Sequence, residues 1–415
     1  MLDGYRDNLG ARFDGSLHSA VERRVVQGTI RQVHLRSNDI EIITSIISSL
    51  TPGEDEGVRN ENIESIVWHN VGTHLAGVSD FFARSRLSKL YLLDLCGGFQ
   101  IRSWNHLASQ TTLLTALSLR LNESSRSPTP TTSQLFSILA SNPNLRQLVL
   151  SGGSLPNDAD RSALEVPLPN LNLLSLKGGF HRILGLLRGL LLPAMLDTME
   201  LTLFNPTVDD VSRTLGPYMR DYFRRDVRFA QDRLIVSCSF ASFFEISVDT
   251  TGDLPATQMV PEGSVTITVI GPPPHGLWRL VINLIAPIPR ENVVFFVTDS
   301  IEEFPEEVFY MMPNIEILRL SNMELFEGFL QPNVNGPRAN TKLLPSLKSL
   351  YLEDVTLEDD NWGHLTKYLV HQTSDNQTIT LAVTDDCPYL PPRVAKEIKD
   401  LVEKFTIIAA DSSDE

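Results

Sequence analysis

The stretch Leu114-Thr-Ala-Leu117-Ser-Leu119-Arg-Leu-Asn122 decides the fold. Leu117 and Leu119 flank one residue, and on a β-strand two such side chains point to the same side. The first six positions of the pattern return at Leu87-x-x-Leu90-x-Leu92, Leu145-x-x-Leu148-x-Leu150, Leu171-x-x-Leu174-x-Leu176 and Leu347-x-x-Leu350-x-Leu352. Ile315-x-x-Leu318-x-Leu320 repeats it with one conservative exchange. Looser strand-like triplets fill the intervals. The full set begins at Val33, Ile66, Leu90, Leu117, Leu148, Leu174, Leu201, Ile235, Ile267, Phe295, Leu318, Leu350 and Leu381. Thirteen triplets at a mean spacing of 29 residues are an internal repeat, not a chance pattern.

LxxLxLxxN is the template of a leucine-rich repeat. One strand and one helix cannot bury their apolar faces alone, so neighbouring units stack into a continuous core. Amphipathic stretches lie between the triplets. Ile40-Ile43-Ile46-Ile47-Leu50 follows the capping pair Asn38-Asp39, Leu135-Ile138-Leu139 follows Thr132-Ser133, and Val394-Ile398-Leu401-Val402-Phe405 reads as a last helix. The expected fold is therefore an α/β leucine-rich-repeat solenoid, a curved horseshoe with parallel strands on the concave side and helices on the convex side. Residues 29–405 form the repeat domain of about thirteen irregular units, 1–28 an N-terminal flank, and 406–415 an acidic tail. The template fails between Tyr218 and Val269. There Leu234-Ile-Val-Ser-Cys-Ser and Phe244-Glu-Ile-Ser-Val-Asp read as a β-hairpin within an irregular insertion near 218–269. Arg213 to Arg233 holds six arginines against three aspartates.

Composition excludes several functions. Acidic residues outnumber basic ones 51 to 35, a net charge of −16, the reverse of what a dedicated nucleic-acid binder needs. Cys96, Cys238 and Cys387 lie more than a hundred residues apart, which suits a reducing compartment, cytoplasm or nucleus. Met1 to Gly28 lacks the pattern of a signal peptide. Ile183 to Leu196 is the most apolar stretch. Its 14 residues include Arg188 and Pro193, so it reads as a buried helix and not a membrane span. The histidines show no HExxH spacing, no GxSxG or phosphate-loop motif occurs, and the double glycines Gly97-Gly98, Gly152-Gly153 and Gly178-Gly179 read as positive-φ turns after strands. No catalytic residue, metal or cofactor is expected, and the chain reads as a non-enzyme.

Four segments carry a family resemblance: PNLRQLVLSGG (Pro143 to Gly153), PNLNLLSLKGG (Pro169 to Gly179), PNIEILRLSN (Pro313 to Asn322) and PSLKSLYLEDV (Pro345 to Val355). They resemble the repeat region of fungal F-box/leucine-rich-repeat proteins, over roughly Thr29 to Phe405. In that family an N-terminal F-box docks on an adaptor of a cullin-based ubiquitin ligase and the repeats hold the substrate. Met1 to Gly28 carries a short helical pattern, Leu17 to Val26, and no F-box pattern. The resemblance implies protein-protein recognition as a ligase substrate receptor. A structural or signalling scaffold without a ubiquitin role is the alternative.

On such a fold the positions beside the strand leucines face the partner. The template assigns Lys89, Tyr91, Arg120, Gln147, Lys177, Glu200, Thr202, Arg319, Tyr351 and Glu353 to that surface. Arginine and aromatic residues are common interface anchors. Lys89, Arg120 and Lys177 are expected to form a basic stripe suited to an acidic or phosphorylated segment. Residues 299–360 hold 13 acids and 4 bases and read as a solubilising flank.

Overall fold

A computed structural model describes residues 30–52, 60–123, 128–157, 165–240, 243–250, 263–271, 277–299, 306–321, 344–353, 359–373, 378–384 and 392–408. The N-terminal flank, most of the acidic tail, and Cys387 lie outside these residues. The chain divides into two compact units, 1–204 and 205–415.

The first unit is built on β1 (Gln32–Ser37), β2 (Ser65–Asn70), β3 (Leu92–Gly97), β4 (Ala116–Leu121), β5 (Gln147–Gly152), β6 (Leu173–Gly179) and β7 (Thr198–Phe204). Each strand pairs in parallel with the next in sequence. The ladder aligns Val33, Ile66, Leu93, Leu117, Leu148, Leu174 and Met199 in one row. Trp68, Leu95, Leu119, Leu150, Leu176 and Leu201 follow in the next inward row, each 1% exposed or less. Parallel neighbours need a crossover between them. Here the crossovers carry α1 (Ile40–Leu50), α2 (Ser79–Arg84), α3 (Trp104–Gln110), α4 (Thr132–Ala140) and α5 (Phe180–Gly189).

Local chemistry sets these boundaries. Asp39 caps α1, its carboxylate accepting from the amides of Glu41 and Ile42. Thr131 and Gln134 form a reciprocal capping box at α4, one residue before the expected Thr132-Ser133 pair. Gly189 ends α5, so the apolar run 183–196 is not one helix. Gly97 has φ +98°, and a Cβ there would lie 1.9 Å from the carbonyl oxygen of Asn70. Gly178 differs from the expected turn. It stays in β6 without positive φ, and a Cβ would meet Leu155 Cδ1 at 2.5 Å, so close packing requires glycine there.

The template is out of frame at two places in this unit. Leu93 and Leu95, not Leu90 and Leu92, align with Leu117 and Leu119. Met199 and Leu201, not Leu201 and Leu203, align with Leu174 and Leu176. A slip by an even number of residues keeps the face and moves the row; an odd slip exchanges the faces.

The second unit contains β8 (Leu234–Phe240), β9 (Phe243–Thr250), β10 (Gly263–Ile270), β11 (Val293–Asp299), β12 (Ile317–Ser321), β13 (Ser349–Glu353), β14 (Thr380–Thr384) and β15 (Lys404–Ile408). Two residues separate β8 from β9, too few for a crossover, and the pair is antiparallel, as the hairpin reading anticipates. β10 pairs with β9, also antiparallel, so β9 is the reversed strand and β10, which carries the triplet at Ile267, runs in the same direction as β8. From β8 the sheet continues in parallel through β11, β12, β13, β14 and β15. Its helices are α6 (Gly216–Arg225), which continues a π-helical stretch at Val211–Leu215, then α7 (Val227–Gln231), α8 (Leu277–Ile285), α9 (Glu306–Met311), α10 (Asp359–Thr373) and α11 (Pro392–Leu401). Phe405, expected to close the last helix, lies instead in β15. The fold is thus mixed α/β with mostly parallel strands in each unit. Among the described residues no helix is long and apolar enough to cross a membrane.

Candidate functional site

Alternation along each strand leaves a polar face opposite the leucine rows. In the first unit one row of that face runs His34, Val67, Asp94, Ser118, Val149, Ser175, Glu200. The next row runs Arg36, His69, Cys96, Arg120, Ser151, Lys177, Thr202. Of the residues chosen from sequence, Arg120, Lys177, Glu200, Gln147 and Thr202 belong to this face. Lys177 and Glu200 are exposed.

Lys89 and Tyr91 do not sit where the template put them. Both precede β3, because the leucines that enter the core from the strand are Leu93 and Leu95, while Leu87 and Leu90 are buried ahead of it. Lys89 Nζ donates to Asn62 Oδ1 at 2.7 Å, and Tyr91 is 40% exposed at the strand's entrance. The basic stripe of Lys89, Arg120 and Lys177 therefore does not form. Only Arg120 and Lys177 share a row, with Ser151 between them, and Arg120 is already committed to Asp94.

Asp94 is the hub of this face. His69 Nε2 lies 3.0 Å from Asp94 Oδ2, and Arg120 Nη2 donates to the same carboxylate at 3.1 and 3.3 Å. Burial alone raises the Asp94 pKa. Hydrogen bonds from His69 and Ser118, with the Arg120 charge, outweigh it and hold the carboxyl below its ordinary value. Sequence reading missed Asp94 and His69 because the partners come from three strands, 25 and 26 residues apart.

In the second unit Arg319 and Tyr351 are register neighbours on β12 and β13. Arg319 bonds Glu353 through Nε at 2.9 Å and Nη2 at 2.6 Å, and Ser321 Oγ donates to the same Glu353 oxygen. These three predicted residues are brought together. Beside them opens a groove of about 390 Å³ whose wall includes Ser237, Glu245, Ser247, Arg319 and Glu353. Sequence reading gave Glu245 and Asp249 no role, since they lie in the segment without the template. Thr268 Oγ1 donates to Glu245 at 2.9 Å, and Ser247 Oγ to Asp249 at 3.2 Å. Burial raises the Asp249 pKa, and its hydrogen bonds with Ser264 and Ser247 offset that only in part.

Asp94 is bonded to His69 and Arg120, and Glu353 to Arg319 and Ser321. Among the described residues no group of three or more His, Cys, Asp or Glu side chains is placed to hold a metal ion. No protein-family model matches the chain, and no curated protein matches it.

Proposed function

We propose that the chain is a leucine-rich-repeat solenoid of horseshoe form that recognises another protein without catalysis. The observation that carries this reading is the two-sided ladder of the first unit. Apolar side chains, most of them leucines, fill the inward rows without a break, and mainly hydrogen-bonding side chains fill the outward rows at the strand spacing of about 4.8 Å. An extended polar surface on a stacked array fits a protein partner better than a small ligand. The cytoplasm or nucleus is the expected setting.

Substrate reception for a cullin-based ubiquitin ligase is the more specific form of this proposal, and it rests on the family resemblance alone. Affinity capture from a fungal extract with the wild-type chain and with a Lys177→Glu/Glu200→Lys variant tests both levels. The recognition reading expects partners that bind wild type and not the variant. Partners captured equally by both would sink it. Recovery of a cullin and its adaptor supports the ligase form, and their absence beside a face-dependent partner leaves the scaffold as the better account.

A further inference from the structure

The arginine-rich segment 213–233 has no part in the recognition faces. Its helix α6 buries Met219, Tyr222 and Phe223 and turns Arg220, Arg224 and Arg225 to solvent. In a chain of net charge −16 several surface arginines find carboxylates, as Arg120, Arg233 and Arg319 do. Among the described residues Arg220, Arg224 and Arg225 form no ion pair. The Nε of Arg225 donates to the carbonyl oxygen of Asp221 at 3.3 Å, which lays the guanidinium along the helix and leaves its terminal nitrogens available.

A cavity of about 490 Å³ opens at this place, lined by Tyr218, Asp221, Arg224 and Arg225. The Tyr218 hydroxyl is buried and has no hydrogen-bond partner. A buried hydroxyl left unpaired costs about 1–3 kcal/mol, so it calls for an acceptor. Burial drives its pKa up to about 12, against the opposing Arg225 charge, so it remains a donor at every physiological pH. Asp221 is the one acid in the wall, and two guanidinium groups outweigh it. Just before α6 the π-helical turn Val211–Leu215 widens the helix, a distortion that concentrates at functional sites.

We infer that Tyr218, Arg224 and Arg225 form a binding site for a phosphate group, either inorganic phosphate or a phosphorylated side chain. Two guanidinium forks match the tetrahedral oxygens, and a dianion suits paired arginines better than a single carboxylate does. The inference stands apart from the recognition reading, since none of its residues lies on those faces.

Titration calorimetry on the full chain tests it, with two probes: inorganic phosphate, and a phosphoserine peptide beside its unphosphorylated twin. The wild type is expected to bind at least one probe saturably and not the twin. Arg224→Gln/Arg225→Gln should lose thirtyfold or more of that affinity, roughly two charge-assisted hydrogen bonds. Tyr218→Phe should weaken it roughly fivefold, with an unchanged far-ultraviolet spectrum as evidence of folding. Peptide affinity well above that for inorganic phosphate identifies a phosphorylated protein as the source; equal affinities identify the free ion. Equal binding by wild type and the double glutamine variant overturns the site. So does the lack of saturable binding to either probe up to about 10 mM.

Discussion

Replacing Asn142 should damage the first unit more than any surface change near it. The side chain is 1% exposed. Its Nδ2 donates to the carbonyl oxygens of Thr111 and Ile138, each at 2.8 Å, and its Oδ1 accepts the amide of Leu114 at 2.8 Å. One side chain thus ties the end of α3, the last turn of α4 and the approach to β4. Asn142→Ala leaves three buried backbone groups unpaired. At ~1 kcal/mol each, the loss is about 3 kcal/mol. Asn142→Asp is the sharper probe. It keeps the acceptor for Leu114 but sets a carboxylate oxygen against two carbonyl oxygens in a buried site. At neutral pH it should cost more than alanine, on the order of 4–5 kcal/mol. Urea denaturation read through Trp68 and Trp104 fluorescence gives the stabilities. Hydrogen exchange at the Leu114 amide gives the local effect, expected to accelerate roughly a hundredfold in Asn142→Ala. A loss under about 1 kcal/mol, or an aspartate tolerated as well as the alanine, would refute the reasoning.

Leu93→Ala should cost about 3 kcal/mol and Leu92→Ala about a third of that, because Leu93 is fully buried and Leu92 only partly; equal losses in urea titrations would show that the ladder is misaligned. Asp94→Asn should flatten the acid limb of stability. A carboxyl with depressed pKa stabilises the fold above its unfolded value near 3.9 and loses that as pH falls through its folded value, so wild type and variant should converge once the pH has fallen through that lowered value in thermal melts. Asp249→Asn should act the other way. Its raised pKa means the folded chain favours the protonated form, so the amide should raise the melting temperature at pH 7, and the gain should shrink as the pH is lowered. Glu353→Gln should change stability by no more than about 1 kcal/mol, since Arg319 is 47% exposed, and calorimetry showing a larger loss would assign that pair a structural role.

Much of the fold was legible because its signals are local. Asp39 ahead of the isoleucines of α1 announces a helix start, and the short link Phe240 to Phe243 between two strand-like segments announces a hairpin. Frame was less legible. Leu90, Leu92, Leu93 and Leu95 satisfy the template twice, and only the pairing of Leu93 with Ile66 and Leu117 selects one reading. The same ambiguity moved Lys89 and Tyr91 onto a face they do not occupy. Phe295 and Phe296 pose it again, and Phe296 enters the core. Asn142 escaped notice because a buried asparagine and a loop asparagine look alike until their backbone partners are placed.

By itself the sequence determined that strands recur about every 29 residues with leucines on one side, since periodicity is a property of neighbours along the chain. It also determined that the arginines of 213–233 are crowded in a chain otherwise acidic. Only the tertiary structure decided which residues share a row, and that His69, Asp94 and Arg120 meet. Strand alternation looks the same read in either direction and in frames two apart. Backbone pairing between distant segments is what breaks that symmetry, and side chains from separate strands become neighbours only after it is broken.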